Sequence, residues 1–265
     1  MGRFQVVLVS VGICVLFMWT LRRVARPAKL RLRRCPGRPN SLTPLHLLAL
    51  LAIWIGASAA LSGMLKVLSV ENSPGPKLLA TITQQVVWLA ASLIVAAMTC
   101  HAGLVRGLGL STRHWPWDLM RGTIGYLAVL PVCVGLFYLT ASLLPEGMKP
   151  ENWLLELIKT TWPGWQSLLG IFSAVVLASL SEEIFFRGLF QSMLQSYTHN
   201  PWLAILTTAA FFALVHIPYW DTLPALLALG VALGYNYARS GRLLAPVVIH
   251  AVFNAVNIIS FTTGW

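Results

Sequence analysis

Acidic side chains are scarce in this sequence: eight aspartates and glutamates stand among 265 residues, and charged residues of both signs make up 10% of the chain. A soluble domain carries roughly 25% charged residues, so a water-facing globule is excluded. Cysteine is equally sparse. Cys14, Cys35, Cys100 and Cys133 stand singly, without CxxC or CxxxC spacing, which removes both a thiolate metal site and a disulfide framework and leaves four small hydrophobes. There is also no internal repeat, no low-complexity tract and no HExxH, and no GxSxG elbow surrounds Ser181. Solenoids, inverted-repeat transporters, compact two-histidine zinc motifs and serine-elbow hydrolases therefore gain no support.

What is present is apolar. Hydrophobic residues fill 57% of the chain, and runs long enough to cross a hydrocarbon core, about 17–25 residues, fall at roughly 4–21, 45–69, 79–100, 122–144, 167–195, 201–217, 222–238 and 243–261. The fold expected is all-α, a polytopic transmembrane bundle of about eight spans. The first run has arginines after it instead of a small-residue cleavage site, so it is expected to be a retained anchor and not a signal peptide.

The net charge is +11, yet eight of the nineteen basic residues crowd between Arg22 and Arg38, directly after a span. Such a loop is a topology signal beside anionic lipid headgroups, which makes membrane lipids the expected partners and nucleic acid not. Strict alternation over eight spans puts Arg106, Arg113, Arg121, Arg239 and Arg242 on the same cytoplasmic side. Arg3, Lys66, Lys77, Lys149 and Lys159 fall outside, with both termini. The loop Pro145 to Trp165, with Glu146, Glu151 and Glu156, is expected to be interfacial or extracellular.

Against this background two adjacent glutamates, Glu182 and Glu183, lie inside the apolar run Leu168 to Leu194, with Arg187 one turn on. A charge at membrane depth costs at least ~2.5 kcal/mol, so it usually marks a site. Residues four apart share a helix face, so Glu183 and Arg187 can pair while Glu182 points about 100° away. One carboxylate is then neutralised, and the other is free to act as a general base. A purely structural role, holding helices together, accounts for Glu183 and Arg187 but leaves Glu182 without a reason.

Three more polar residues sit within later spans: His216, and His250 with Asn254. A lone histidine on an apolar helix is more often a satisfied structural group than a catalyst. Two histidines, two glutamates, an arginine and an asparagine in three spans favour a site. Counting seventeen residues in each direction from His199, at the turn between spans five and six, gives Glu182 and His216. In an antiparallel hairpin these lie level, about 25 Å from the turn, and can face each other across a water. His250 counts some 10 Å shallower, unless the polar end of span five, around Gln191, Gln195 and Tyr197, projects into the cytosol. His250, Asn254 and Asn257 form one stripe expected to face the interior, and Gly230 and Gly234 form a GxxxG pattern for close helix approach.

Glu-Glu-x-x-x-Arg (182–187), Phe-x-x-x-His (212–216) and His-x-x-x-Asn (250–254), in this order, resemble the three signature motifs of the CPBP family, the CaaX-protease and bacteriocin-processing (Abi) intramembrane endopeptidases. The resemblance covers roughly residues 165–260. It implies a catalytic core in the last four spans (165–265) behind a variable region of four spans (1–164). It further implies that Glu182 and His216 activate a water for attack on a peptide carbonyl, that Glu183 and Arg187 orient and neutralise the site, and that His250 and Asn254 stabilise the oxyanion. The family's metalloprotease label instead makes His216, His250 and Glu182 zinc ligands. The residues leave both the zinc and the metal-free glutamate mechanism open.

The substrate implied is a membrane-associated protein or peptide, lipidated or not, and a bacterial inner membrane is the expected location. The alternative is a non-catalytic immunity or scaffold protein that keeps the motifs for structure. A proton-coupled transporter and a Ser181 nucleophile rank lower. Substrate identity and oligomeric state lie beyond the sequence.

Overall fold

The computed structural model describes residues 3–24, 32, 40–111, 113–145 and 150–263. Most of the basic loop between Arg22 and Arg38, together with Cys35, Glu146 and Lys149, lies outside the described residues. Among the described residues ten helices carry the fold: α1 (Arg3–Val24), α2 (Pro44–Val67), α3 (Pro74–Thr99), α4 (Gly103–Leu108), α5 (Trp115–Leu143), α6 (Trp153–Thr161), α7 (Trp165–Thr198), α8 (Pro201–Leu214), α9 (Leu223–Ser240) and α10 (Leu244–Thr263). No strand occurs among the described residues. The protein is a multi-pass helical membrane protein, as the apolar runs require.

The expected sixth span is the exception. Among the described residues seven helices are long and apolar enough to cross a membrane, and α8 is not one of them. Asn200 starts it by accepting hydrogen bonds from the Trp202 and Leu203 amides at 3.0 and 3.2 Å, with Pro201 in the first turn. It ends after 14 residues, about 21 Å of rise against a hydrocarbon core of about 30 Å. The chain returns through a short 3₁₀ segment, Ile217–Thr222, in which Tyr219 has φ −114° and ψ 54°. Apolarity alone ran the sixth stretch on to residue 217, but Pro218 cannot continue a hydrogen-bonded helix. Non-helical backbone at this depth is tolerated where protein or a cavity covers it.

Although α8 is short, it still reverses the chain, and the connections collect at two ends as charge alternation predicts. At one end Ser41 donates to the Thr99 carbonyl at 3.0 Å, Leu243 to the Gly109 carbonyl at 3.1 Å, and Arg242 to Asp118 Oδ2 at 2.6 Å and the Ser111 carbonyl at 2.5 Å. The α7–α8 turn belongs to this end, where Trp202 stacks on Tyr235 near the foot of α9. At the other end the Lys77 ammonium lies 4.7 Å from the Trp153 ring centroid and that of Lys159 lies 5.3 Å from Phe261. The amphipathic α6 buries Leu157 and Ile158 there, beneath the bundle.

The centre of the bundle is α7. Of its most apolar window 44% is buried inside the protein, against 28% or less in the other spans. The Phe185 ring of α7 packs on Trp88 of α3 with centroids 4.5 Å apart, so the core crosses the sequence boundary at 164/165. Two stretches of α7, Ser173–Ala178 and Ile184–Gln191, are π-helical. A single turn and a half of α-helix, Ser179–Glu183, separates them and carries both glutamates. Wide turns of this kind recur at functional sites.

Candidate active site

Glu183 and Arg187 are both fully buried, and Arg187 Nη1 donates to Glu183 Oε1 at 2.8 Å. The i, i+4 pairing read from the sequence is therefore present, and Glu182 points elsewhere, with 24% of its side chain exposed. The same Glu183 oxygen also accepts from His250 Nδ1 at 2.9 Å. This second bond was not read from the sequence. It fixes the His250 tautomer, because a carboxylate accepts and the ring nitrogen must carry the proton. His250 Nε2 is thereby turned toward Glu182, 3.9 Å from Oε2. Glu182 Oε2 is itself buried, without a hydrogen-bond partner among the described residues.

His216 stands at the end of α8, half-buried, where the chain leaves the helix. Its Nδ1 donates to the Phe212 carbonyl at 2.8 Å, which leaves Nε2 as the basic nitrogen. The sequence placed Glu182 opposite His216. The imidazole of His250 lies within 4 Å of Glu182, and among the described residues no ion pair joins Glu182 directly to His216.

At the polar end of span five Tyr197 is exposed, whereas Gln191 is fully buried and its Nε2 donates to the Gly234 carbonyl at 2.9 Å. One turn up the same face, Arg187 Nη2 donates to the Gly230 carbonyl at 3.2 Å. The GxxxG pattern thus does more than shorten a helix contact. A Cβ at Gly234 would lie 2.8 Å from Gln191 Oε1, and one at Gly230 would lie 3.0 Å from Ala209 Cα and Cβ of α8. Two bare carbonyls of α9 serve as acceptors for two polar side chains of α7, and Gln191, four residues beyond Arg187, carried that signal.

The α10 stripe holds only in part. His250 is buried and Asn254 is half-buried, but Asn257 is exposed and its neighbour Ile258 is buried. Helices that cross at an angle bury a face that changes along their length. Asn254 Nδ2 donates to the Ala174 carbonyl at 2.8 Å, inside the first π-helical stretch, and lies 3.4 Å from Ser179 Oγ. Both amide hydrogens are engaged there. Asn254 holds the backbone that presents the glutamates, and donation to an oxyanion would require these bonds to be given up.

A zinc ion would be held by His216, His250 and Glu182. Glu182 and His250 approach each other, but among the described residues no three of His, Cys, Asp and Glu converge as a metal site. A catalytic zinc wants three protein ligands at about 2.0–2.2 Å.

Comparison with known proteins finds a family match over part of the chain. Residues 164–256 match the model of Rce1-like type II CAAX prenyl endopeptidases. This region is similar to that family. The Rce1-like stretch contains all six site residues and begins one residue before α7. Over 162 residues the chain is 33% identical to an uncharacterized 24.3 kDa protein of Escherichia coli, a match covering 59% of this chain and 66% of that relative. The match thus spans just under two thirds of the relative's length. No solved structure matches.

Proposed function

We propose that this protein is an intramembrane endopeptidase that hydrolyses a peptide bond of a membrane-associated or lipidated protein or peptide, in a bacterial inner membrane. The observation that carries the reading is the buried, unpartnered Glu182 Oε2 beside the Nε2 of a histidine whose other nitrogen is tied to a second, neutralised carboxylate. A family of CAAX prenyl endopeptidases that matches this region adds support.

In this mechanism a water lies between Glu182 and the imidazole of His216. Glu182 takes one of its protons, and the oxygen forms a bond to the substrate's carbonyl carbon. The resulting oxyanion forms beside His250, whose Nε2 donates to it only in the doubly protonated ring, with Nδ1 still bonded to Glu183. The proton held on Glu182 then passes to the amide nitrogen as the C–N bond breaks, giving a carboxylic acid and an amine. Glu183 and Arg187 stay buried throughout and hold His250 in place. His216, His250 and Glu182 remain the residues to test for zinc, by metal analysis of the purified protein.

General-base catalysis contributes about 10²–10⁴-fold. In liposomes, Glu182→Gln is expected to fall by at least about 100-fold in peptide cleavage while unfolding at the wild-type temperature. Cleavage at the wild-type rate would sink the proposal and favour the immunity or scaffold reading.

A further inference from the structure

Phe212 opens the Phe-x-x-x-His motif and is fully buried, with no exposed surface. Its ring is where the separate parts of the site meet. The Arg187 guanidinium carbon stands 4.6 Å from its centroid. The His216 ring lies at 5.2 Å, tilted by 55°, and the His250 ring at 5.5 Å in an edge arrangement at 86°. The Phe186 ring closes the fourth side at 5.4 Å and 87°.

The hydrogen-bonded chain Gly230 carbonyl, Arg187, Glu183, His250 links α9, α7 and α10. It does not include His216. The hydrogen bond and the ring contact of the His216 imidazole both go to Phe212, through its carbonyl and its phenyl group. The Phe212 ring is also in contact with two members of the chain. Aromatic pairs and a cation over a ring each have preferred geometry, so one side chain can register His216 against two other helices, α7 and α10. We infer that Phe212 is a positioning residue, which sets the His216 tautomer through its carbonyl and places both imidazoles and Arg187 through its ring. The inference rests on the peptidase reading for its kinetic consequence and on geometry alone for its spectroscopic one.

Misplacing a reacting group by about 1 Å can cost about 100-fold in rate. Phe212→Leu keeps an apolar side chain but removes the ring. It is expected to lose about 100-fold in kcat with KM changed less than about twofold, the pattern of an interaction realised in the transition state. Replacing Phe212 by pentafluorophenylalanine keeps the shape, inverts the ring's charge distribution and retains folding if the leucine variant loses it; kcat should fall here too. In protein labelled with ¹⁵N-histidine, both variants should shift the His216 and His250 ring-nitrogen signals, which are assigned by their disappearance in H216A and H250A. A folded variant with wild-type kcat and unmoved signals would overturn the inference. A purely structural contact would lower the unfolding temperature and leave both unchanged. If wild-type protein cleaves nothing, the peptidase reading falls, and the histidine signals alone decide the role of Phe212.

Discussion

Glu183 receives two hydrogen bonds on one oxygen, from Arg187 and from His250, in a place without water contact. Removing one partner of a buried ion pair leaves an uncompensated charge, at a cost of about 3–5 kcal/mol, whereas replacing both costs little or nothing. Arg187→Met is therefore expected to destabilise the protein by about that amount, and Glu183→Gln together with Arg187→Met should recover most of the loss. Unfolding in detergent, followed by heat or denaturant, measures both. Equal loss in the single and double variants would show that Arg187 matters through its cover of Phe212 and Phe186 instead of through charge. The partnership of Glu183 with Arg187 is legible in the sequence because four residues make one helical turn. The bond to His250 is not, because it spans 67 residues and two helices.

Helices α8 and α9 meet where side chains are smallest. A Cβ on Gly230 would sit 3.0 Å from Ala209 Cα, and the same glycine offers its carbonyl to Arg187. Overpacking costs about 1–3 kcal/mol, so Gly230→Ala is expected to lower stability by about that amount and to slow cleavage by moving the acceptor of Arg187. Gly56 of α2 has open space within 4 Å of its would-be Cβ, and Gly56→Ala should be neutral or stabilising by up to about 1 kcal/mol. Thermal unfolding of the pair separates crowding from helix propensity; equal effects would refute the close approach. GxxxG was readable as a pattern, but its second role was not. The π-helical turns of α7 were also hidden, since an extra residue in a turn leaves an all-apolar stretch equally apolar.

At the scale of the molecule, the turns at 40–44, 99–114, 198–201 and 240–244 gather at one end and residues 150–164 at the other. In a cysteine-free background, a membrane-impermeant thiol reagent is expected to label E151C in intact cells and H199C only after permeabilisation. Labelling of both from one side would break the topology. The sequence by itself determined the membrane class and the two-ended arrangement and singled out the candidate site residues, because the low dielectric makes each charge, each apolar run and each basic loop costly to misplace. Only the tertiary structure decided that α8 stops short, that His250 stands beside Glu182, that Asn254 is bound to the backbone of α7, and that one phenyl ring joins His216 to the rest. Those outcomes depend on crossing angles, wide helical turns and rotamers, which are set by packing between residues far apart in the chain and leave no periodic trace within it.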